Sequence, residues 1–134
     1  MSSKMWSKNQ AEVLERVYDF AVLGGGIGTL NLGDLPTGFI VNNAEVEMIT
    51  AMTSAGSPTV VVGEDGGGDD DGYFTTVYAA AAGAVLKPTG ALLTSATLKH
   101  KVAGTKDGCT VKIATAAVTA GKFVVRYTGH QSLF

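Results

Sequence analysis

Five carboxylates stand within eight residues of this chain: Glu64, Asp65, Asp69, Asp70 and Asp71, in the run EDGGGDDDG at 64–72. Carboxylate oxygens are hard ligands, and calcium takes about six to eight oxygens. The spacing does not match an EF-hand loop, because the glycines come first and no bidentate Glu closes the run. Two carboxylates could also flank a glycosidic bond, but that chemistry needs fixed positions on either side of the sugar. A glycine-rich, self-repelling run has little to pack. Its reading here is a solvated acidic tip, with weak and opportunistic cation binding as the alternative.

The remaining reactive side chains are scattered. His100 lies between Lys99 and Lys101, and His130 lies near the end of the chain. Neither has a partner at ligand spacing, so no metal site is assigned. Lys99, His100, Lys101 and Lys106 form a basic cluster without interleaved aromatics. That suits a charged edge strand better than a nucleic-acid module. Gly24-Gly25-Gly26-Ile27-Gly28 suggests a phosphate loop at first sight. A dinucleotide fingerprint needs a sixth-position glycine and a following helix, whereas Thr29 and a strand-like segment follow. No Gly-Lys-Ser/Thr follows either, so the run reads as a bulge or a turn. No Gly-x-Ser-x-Gly elbow occurs. Cys109, the single cysteine, excludes an intrachain disulfide and a multi-cysteine zinc site. It reads as a small buried apolar residue. These residues predict no enzyme and no cofactor.

The composition agrees with a module built for contact. Charged residues are 16% of the chain, against about a quarter in typical domains. Low charge with 18 glycines suggests much covered surface. A net charge of −2 provides no general field for nucleic acid or an anionic membrane. No stretch approaches the ~20 apolar residues of a membrane span, and the opening MSSKMWSKNQ lacks the apolar run of a signal peptide. The expectation is a soluble protein made in the cytosol.

Strands must position whatever this protein uses. Alternating apolar runs are predicted at 14–22, 27–33, 39–53, 59–63, 73–78, 85–88, 91–96, 98–103, 110–116 and 122–127, separated by Gly, Pro, Asn and Asp. The turn at Asp34-Leu35-Pro36-Thr37-Gly38 has a mechanism, since Pro presets φ and Gly accepts positive φ. In the longest strand, 39–53, the alternation puts Ile40, Asn42, Ala44, Val46, Met48 and Thr50 on one face. Short strands at near-regular spacing predict an all-β fold, an antiparallel β-sandwich or jelly roll. The organisation reads as an extended N-terminal arm at 1–13, a sandwich domain at 14–127 and a C-terminal tail at 128–134. Met5, Trp6, Leu133 and Phe134 lie on the polar termini, outside the core pattern. Aromatic anchors on extended arms are efficient partner contacts, so these residues are the candidate docking residues.

Several of these segments also resemble a family. The run Tyr18–Val22, the segment Gly24–Thr29, Leu32-Gly33 and Leu35-Pro36 are similar to small virion proteins of tailed bacteriophages. So are Thr59–Gly63, the alanine-rich stretch 79–84, and Thr119-Ala120-Gly121-Lys122 before a closing strand ending in Arg126-Tyr127. The likeness spans about 14–127. It implies a capsid cement (decoration) protein, a β-sandwich that sits on the outside of the shell and staples neighbouring major capsid subunits. The implied partners are the major capsid protein and copies of the chain itself, as a dimer or trimer on the shell, with no nucleic acid and no membrane. The implied location is the virion surface, after synthesis in the host cytoplasm. The family brings no catalytic, cofactor or metal residues. The second reading is a tail or fibre protein that binds a host-surface receptor.

Overall fold

A computed structural model of the chain describes residues 11–66, 68–95 and 99–132. Eight strands occur among them: β1 (Glu12–Asp19), β2 (Gly28–Asp34), β3 (Phe39–Thr53), β4 (Thr59–Glu64), β5 (Val85–Leu86), β6 (His100–Lys101), β7 (Gly108–Ala114) and β8 (Ala120–Gln131). Two single helical turns, α1 (Phe20–Leu23) and α2 (Ala91–Thr94), interrupt them. The front sheet has the order β1-β8-β3, with β5 and β6 both on the far edge of β3; the back sheet is β2-β7-β4. Every pairing is antiparallel. The fold is the all-β sandwich that the alternation predicts.

The core is where the two inner faces meet. β8 contributes Phe123, Val125 and Tyr127, β3 contributes Val41, Ala44, Val46 and Met48, and β4 and β7 contribute Val60, Val62, Cys109, Val111 and Ile113. Along β8 buried and half-buried residues alternate over its whole length, as the two-residue period of a strand requires. In β3 the buried set changes phase, from Phe39 and Val41 to Ala44, Val46 and Met48. A bulge between Val41 and Asn43 causes the change, because one extra residue turns every following side chain to the other face. A single unbroken alternation from Ile40 to Thr50 is therefore corrected at both ends: it holds from Ala44 to Met48, and a second register shift between Met48 and Thr50 leaves Thr50 exposed.

Other boundaries also move. The strand expected over 14–22 begins at Glu12 and ends at Asp19. There the Asp19 carboxylate accepts the Ala21 N–H at 3.0 Å and starts α1, as a short polar residue does at an N-cap. Gly24, at φ +74°, closes that turn by donating its N–H to the Phe20 carbonyl at 2.9 Å. Gly25 packs so closely that a Cβ would stand 2.1 Å from the Val118 carbonyl oxygen. The glycine run is thus a turn and a close backbone approach. At the other end, β8 continues through Thr128–Gln131, past its expected end at Tyr127, and Gly129–Gln131 pair with Phe39–Val41. These end residues are held by ladder hydrogen bonds, which polar residues satisfy as well as apolar ones.

The expected strand at 91–96 is instead α2, anchored by the Leu92 N–H on the Gly72 carbonyl at 3.0 Å. Residues 73–78 make one isolated bridge, Phe74 with Val62, rather than a strand. With Val77 N–H on the Val60 carbonyl at 3.0 Å, this segment covers the outer edge of β4.

Candidate interaction surface

The outward face of the front sheet is built in rows, because directly opposed residues of paired strands point the same way. One row is Val13, Thr128 and Asn43; the next is Glu15, Arg126 and Glu45; the third is Val17, Val124, Glu47 and Val85. Val13, Val17 and Val85 are exposed. Arg126 sits at the centre and meets three carboxylates: Glu15 at 2.6 Å from Nε, Glu45 at 3.2 Å from Nη1 and Glu47 at 2.7 Å from Nη2. The hydrogen bonds to Glu15 and Glu47 hold the guanidinium above its already high pKa. Three carboxylates against one cation leave this face acidic and bordered by valines. Such a face can dock on a partner by apolar contact with charge complementarity.

The acidic run is not a free tip. Glu64 ends β4 nearly buried, and its Oε2 lies 2.8 Å from His100 Nε2. Asp65 accepts the Gly108 N–H at 2.9 Å and the Asn31 side-chain amide at 3.2 Å. Asp70 pairs with Lys112 Nζ at 2.8 Å. The Glu64 N–H donates to the Asp69 carbonyl at 2.9 Å. A Cβ on Gly63 would come within 2.2 Å of that same carbonyl oxygen. The expectation of a loop with nothing to pack is corrected: its carboxylates serve as acceptors for β2, β6 and β7.

Asp69, Asp70 and Asp71 bring one carboxylate oxygen each within 4.8 Å of one another. A hydrogen bond with Asp69, then burial and the charges of Asp69 and Asp70, raise the Asp71 pKa. Three carboxylates, one exposed and two half-buried, fall short of a calcium shell, and no metal is assigned to them.

The basic cluster is also rearranged. Lys101 lies on the edge strand β6, as expected, but His100 turns inward to Glu64 and meets the Tyr73 ring edge-on at 5.8 Å. Tyr73 in turn meets Tyr127 at 4.9 Å, and the Tyr127 hydroxyl lies 2.8 Å from Cys109 Sγ. Burial pushes the Cys109 thiol up to about 12, opposed by its contact with Tyr127. A thiol held protonated in this way is not a nucleophile. Cys109 is the buried residue the sequence suggests, and His130 is a β8 residue opposite Ile40.

The remaining concave surfaces are shallow. One of about 530 Å³ lies beside the last described residues and is lined by Thr37, Lys101, Val102, Gln131 and Ser132 among others. Another, of about 260 Å³, lies between β1, α1 and β2. The candidate docking residues Met5, Trp6, Leu133 and Phe134 lie outside the described residues.

Chains of three phage capsid structures share this fold. A chain in the cyanophage Pam1 capsid asymmetric unit aligns with a TM-score of 0.66 and 21% identity, covering 93% of this chain and 87% of that one. A chain in the acid-stable capsid of the Helicobacter pylori bacteriophage KHP30 gives 0.62 and 14%, covering 90% and 88%. A chain in the capsid of Ralstonia phage GP4 gives 0.61 and 18%, covering 93% and 86%. No protein-family model and no curated protein matches the sequence. At these identities the likeness establishes a common fold.

The sequence reading missed the surface centred on Arg126. The signal was present, since Glu15, Glu45, Glu47 and Arg126 each fall at the outward position of an alternating strand. Their convergence requires the β1-β8-β3 order, which no local pattern specifies.

Proposed function

We propose that this chain is a capsid cement protein of a tailed bacteriophage, bound to the outside of the shell and bridging neighbouring major capsid subunits. The observation that carries this reading is the likeness over about nine-tenths of both chains to chains of three phage capsids, at TM-scores of 0.61 to 0.66. It is a structural and non-catalytic role. Cys109, His100 and the carboxylates of Glu64, Asp65 and Asp70 are engaged in packing, hydrogen bonds and ion pairs, which suits it.

In this reading the outward face of the front sheet lies on the capsid, and the terminal residues Met5, Trp6, Leu133 and Phe134 reach adjacent subunits. An extended arm of ten residues spans about 33 Å, enough to cross a subunit boundary. Burying a Trp and a Met would contribute a few kcal/mol, on the order of 25 cal/mol per Å² of apolar area, offset in part by ordering the arm. Binding to the assembled shell and not to free subunits stabilises the shell by mass action.

The test is deletion of residues 1–10 followed by particle purification. The expected result is partial decoration and earlier heat release of the particle contents. Full decoration and unchanged heat resistance would remove the arm as the staple and leave binding to the sandwich face. A copy number far below that of the shell subunit, or stable trimers in solution, would instead favour a tail or fibre protein.

A further inference from the structure

The open side of the sandwich lies between its two edge strands, β1 and β2. Among the described residues each has a ladder on one side only, β1 with β8 and β2 with β7. Arg16 bridges them by donating to the Asp34 carbonyl. Between β1, α1 and β2 runs a groove of about 260 Å³ lined by Val17, Asp19, Val22, Leu23, Asn31 and Leu32. Val22 is 78% exposed, a heavy exposure for an apolar side chain in a helical turn beside a groove. The groove is smaller than the roughly 300–1,000 Å³ of small-molecule pockets. Its scale suits one or two large side chains.

We propose that this groove receives the Met5-Trp6 segment of a second copy of the chain, so that neighbouring copies exchange N-terminal arms. The proposal rests on the reading of the arm as a docking element and changes its target: Met5 and Trp6 meet a neighbouring copy on the shell, and the bridge between capsid subunits runs through that pair of copies. Composition is compatible with this occupant. Lys4 and Lys8 flank Met5-Trp6, and residues 1–10 contain no Asp or Glu. The groove carries Asp19 on its wall, facing Lys122 at 4.0 Å, and exposed Asp34 and Glu15 stand on its rim strands beside Arg16 and Arg126. The apolar centre of the segment meets an apolar slot, and its two lysines meet a border of mixed charge that carries carboxylates. The unpaired edges of β1 and β2 also offer backbone partners to an extended segment.

Chain length decides between the arm of the same molecule and that of another. The arm joins β1 at Glu12, and the groove begins at Val17 and continues to Leu23 at the far end of that strand. From Ala11 to Val17 is about 20 Å along the strand, and to Asp19 about 26 Å, at roughly 3.3 Å per residue. Trp6 lies five residues before Ala11, a reach of at most about 18 Å. Reversing direction uses at least two of those residues in a turn. A molecule folding its own arm back would place Trp6 opposite Val13 or Leu14, short of the groove. The arm of a second copy has no such constraint.

Cysteine pairs test the exchange in the full chain, where Cys109 is buried. One chain carries Ser7→Cys, which keeps Met5 and Trp6; a second carries Val22→Cys; a control carries Thr105→Cys on a distant loop. Equal mixtures are mildly oxidised in solution at the highest soluble concentration and on decorated particles. The expected result is an interchain 7–22 link at about tenfold or more the yield of the 7–105 control, since a docked arm holds its partner at high effective concentration. Adding Trp6→Ala to the Ser7→Cys chain should return the yield to the control level. A yield no higher than the control in both settings overturns the proposal. Decoration by the unaltered chain is scored separately. Decoration without the 7–22 link removes the exchange and leaves the cement reading standing. The link without decoration supports the exchange and removes the cement reading.

Discussion

Alkaline pH should unfold this protein through the buried cluster of Cys109, Tyr127 and Tyr73. The Cys109 thiol has no exposed surface, and burial raises its pKa from 9.0 to about 12. In the unfolded chain the thiol loses its proton near 9, while the native state keeps it until about 12. Between those values the native state binds more protons than the unfolded state, so stability falls as pH rises. Three units at 1.36 kcal/mol each give about 4 kcal/mol lost by pH 12. That is a large share of the roughly 5–15 kcal/mol of a typical domain. Burial raises the phenols of Tyr127 and Tyr73 as well, helped by the thiol beside Tyr127 and by Glu64 beside Tyr73. Their contributions have the same sign and begin above 10. Chemical denaturation followed by circular dichroism from pH 7 to 12 should show a plateau and then a decline beginning near 9. Cys109→Ala lowers the plateau by about 1–3 kcal/mol, because the Tyr127 hydroxyl loses its 2.8 Å partner. Its decline between pH 9 and 10 should nevertheless be shallower than that of the wild type. Parallel declines in the two proteins over that interval would refute the reasoning, as would rapid labelling of Cys109 by a thiol reagent at pH 9 under native conditions.

The Glu64–His100 contact should be structural, so His100→Ala leaves a nearly buried carboxylate without its 2.8 Å partner and costs about 1–3 kcal/mol, measured by urea denaturation. Gly25→Ala forces a Cβ onto the Val118 carbonyl and should lower the melting temperature by on the order of 5 °C or more; an unchanged value would mean that the glycine run is replaceable there. Replacing Asp69, Asp70 and Asp71 together with Asn removes only exposed or half-exposed charges and the surface pair with Lys112, so melting should move little. A stabilisation of the wild type by calcium that the triple variant loses would show that the loop is a metal site after all.

How much of this was legible beforehand differs between elements for a physical reason. Strand alternation and the Pro/Gly turns are local, so the sandwich class, the turn at 34–38 and the extent of β3 could be read directly. The burial of Cys109 also followed from its type. The β3 bulge could not be read, because an inserted residue changes the face of its neighbours without leaving a mark in composition. The extension of β8 through Thr128–Gln131 depends on the opposing backbone of Phe39–Val41, and a ladder hydrogen bond is indifferent to side-chain polarity. The helical turn α2 exists because Leu92 finds the Gly72 carbonyl, a contact made only after the chain has folded back.

The acidic run gives the clearest division. Its sequence determined five carboxylates and their charge. The sandwich brought β2, β6 and β7 alongside, and only then did Asn31, His100, Gly108 and Lys112 become donors to them. The same holds for Arg126 and its three glutamates, which come from three strands far apart in sequence. Residue types set which groups could pair, and strand order decided which of them met. Local pattern encodes secondary structure because its interactions are near in sequence, whereas a site depends on distances that close only when the sheets pair.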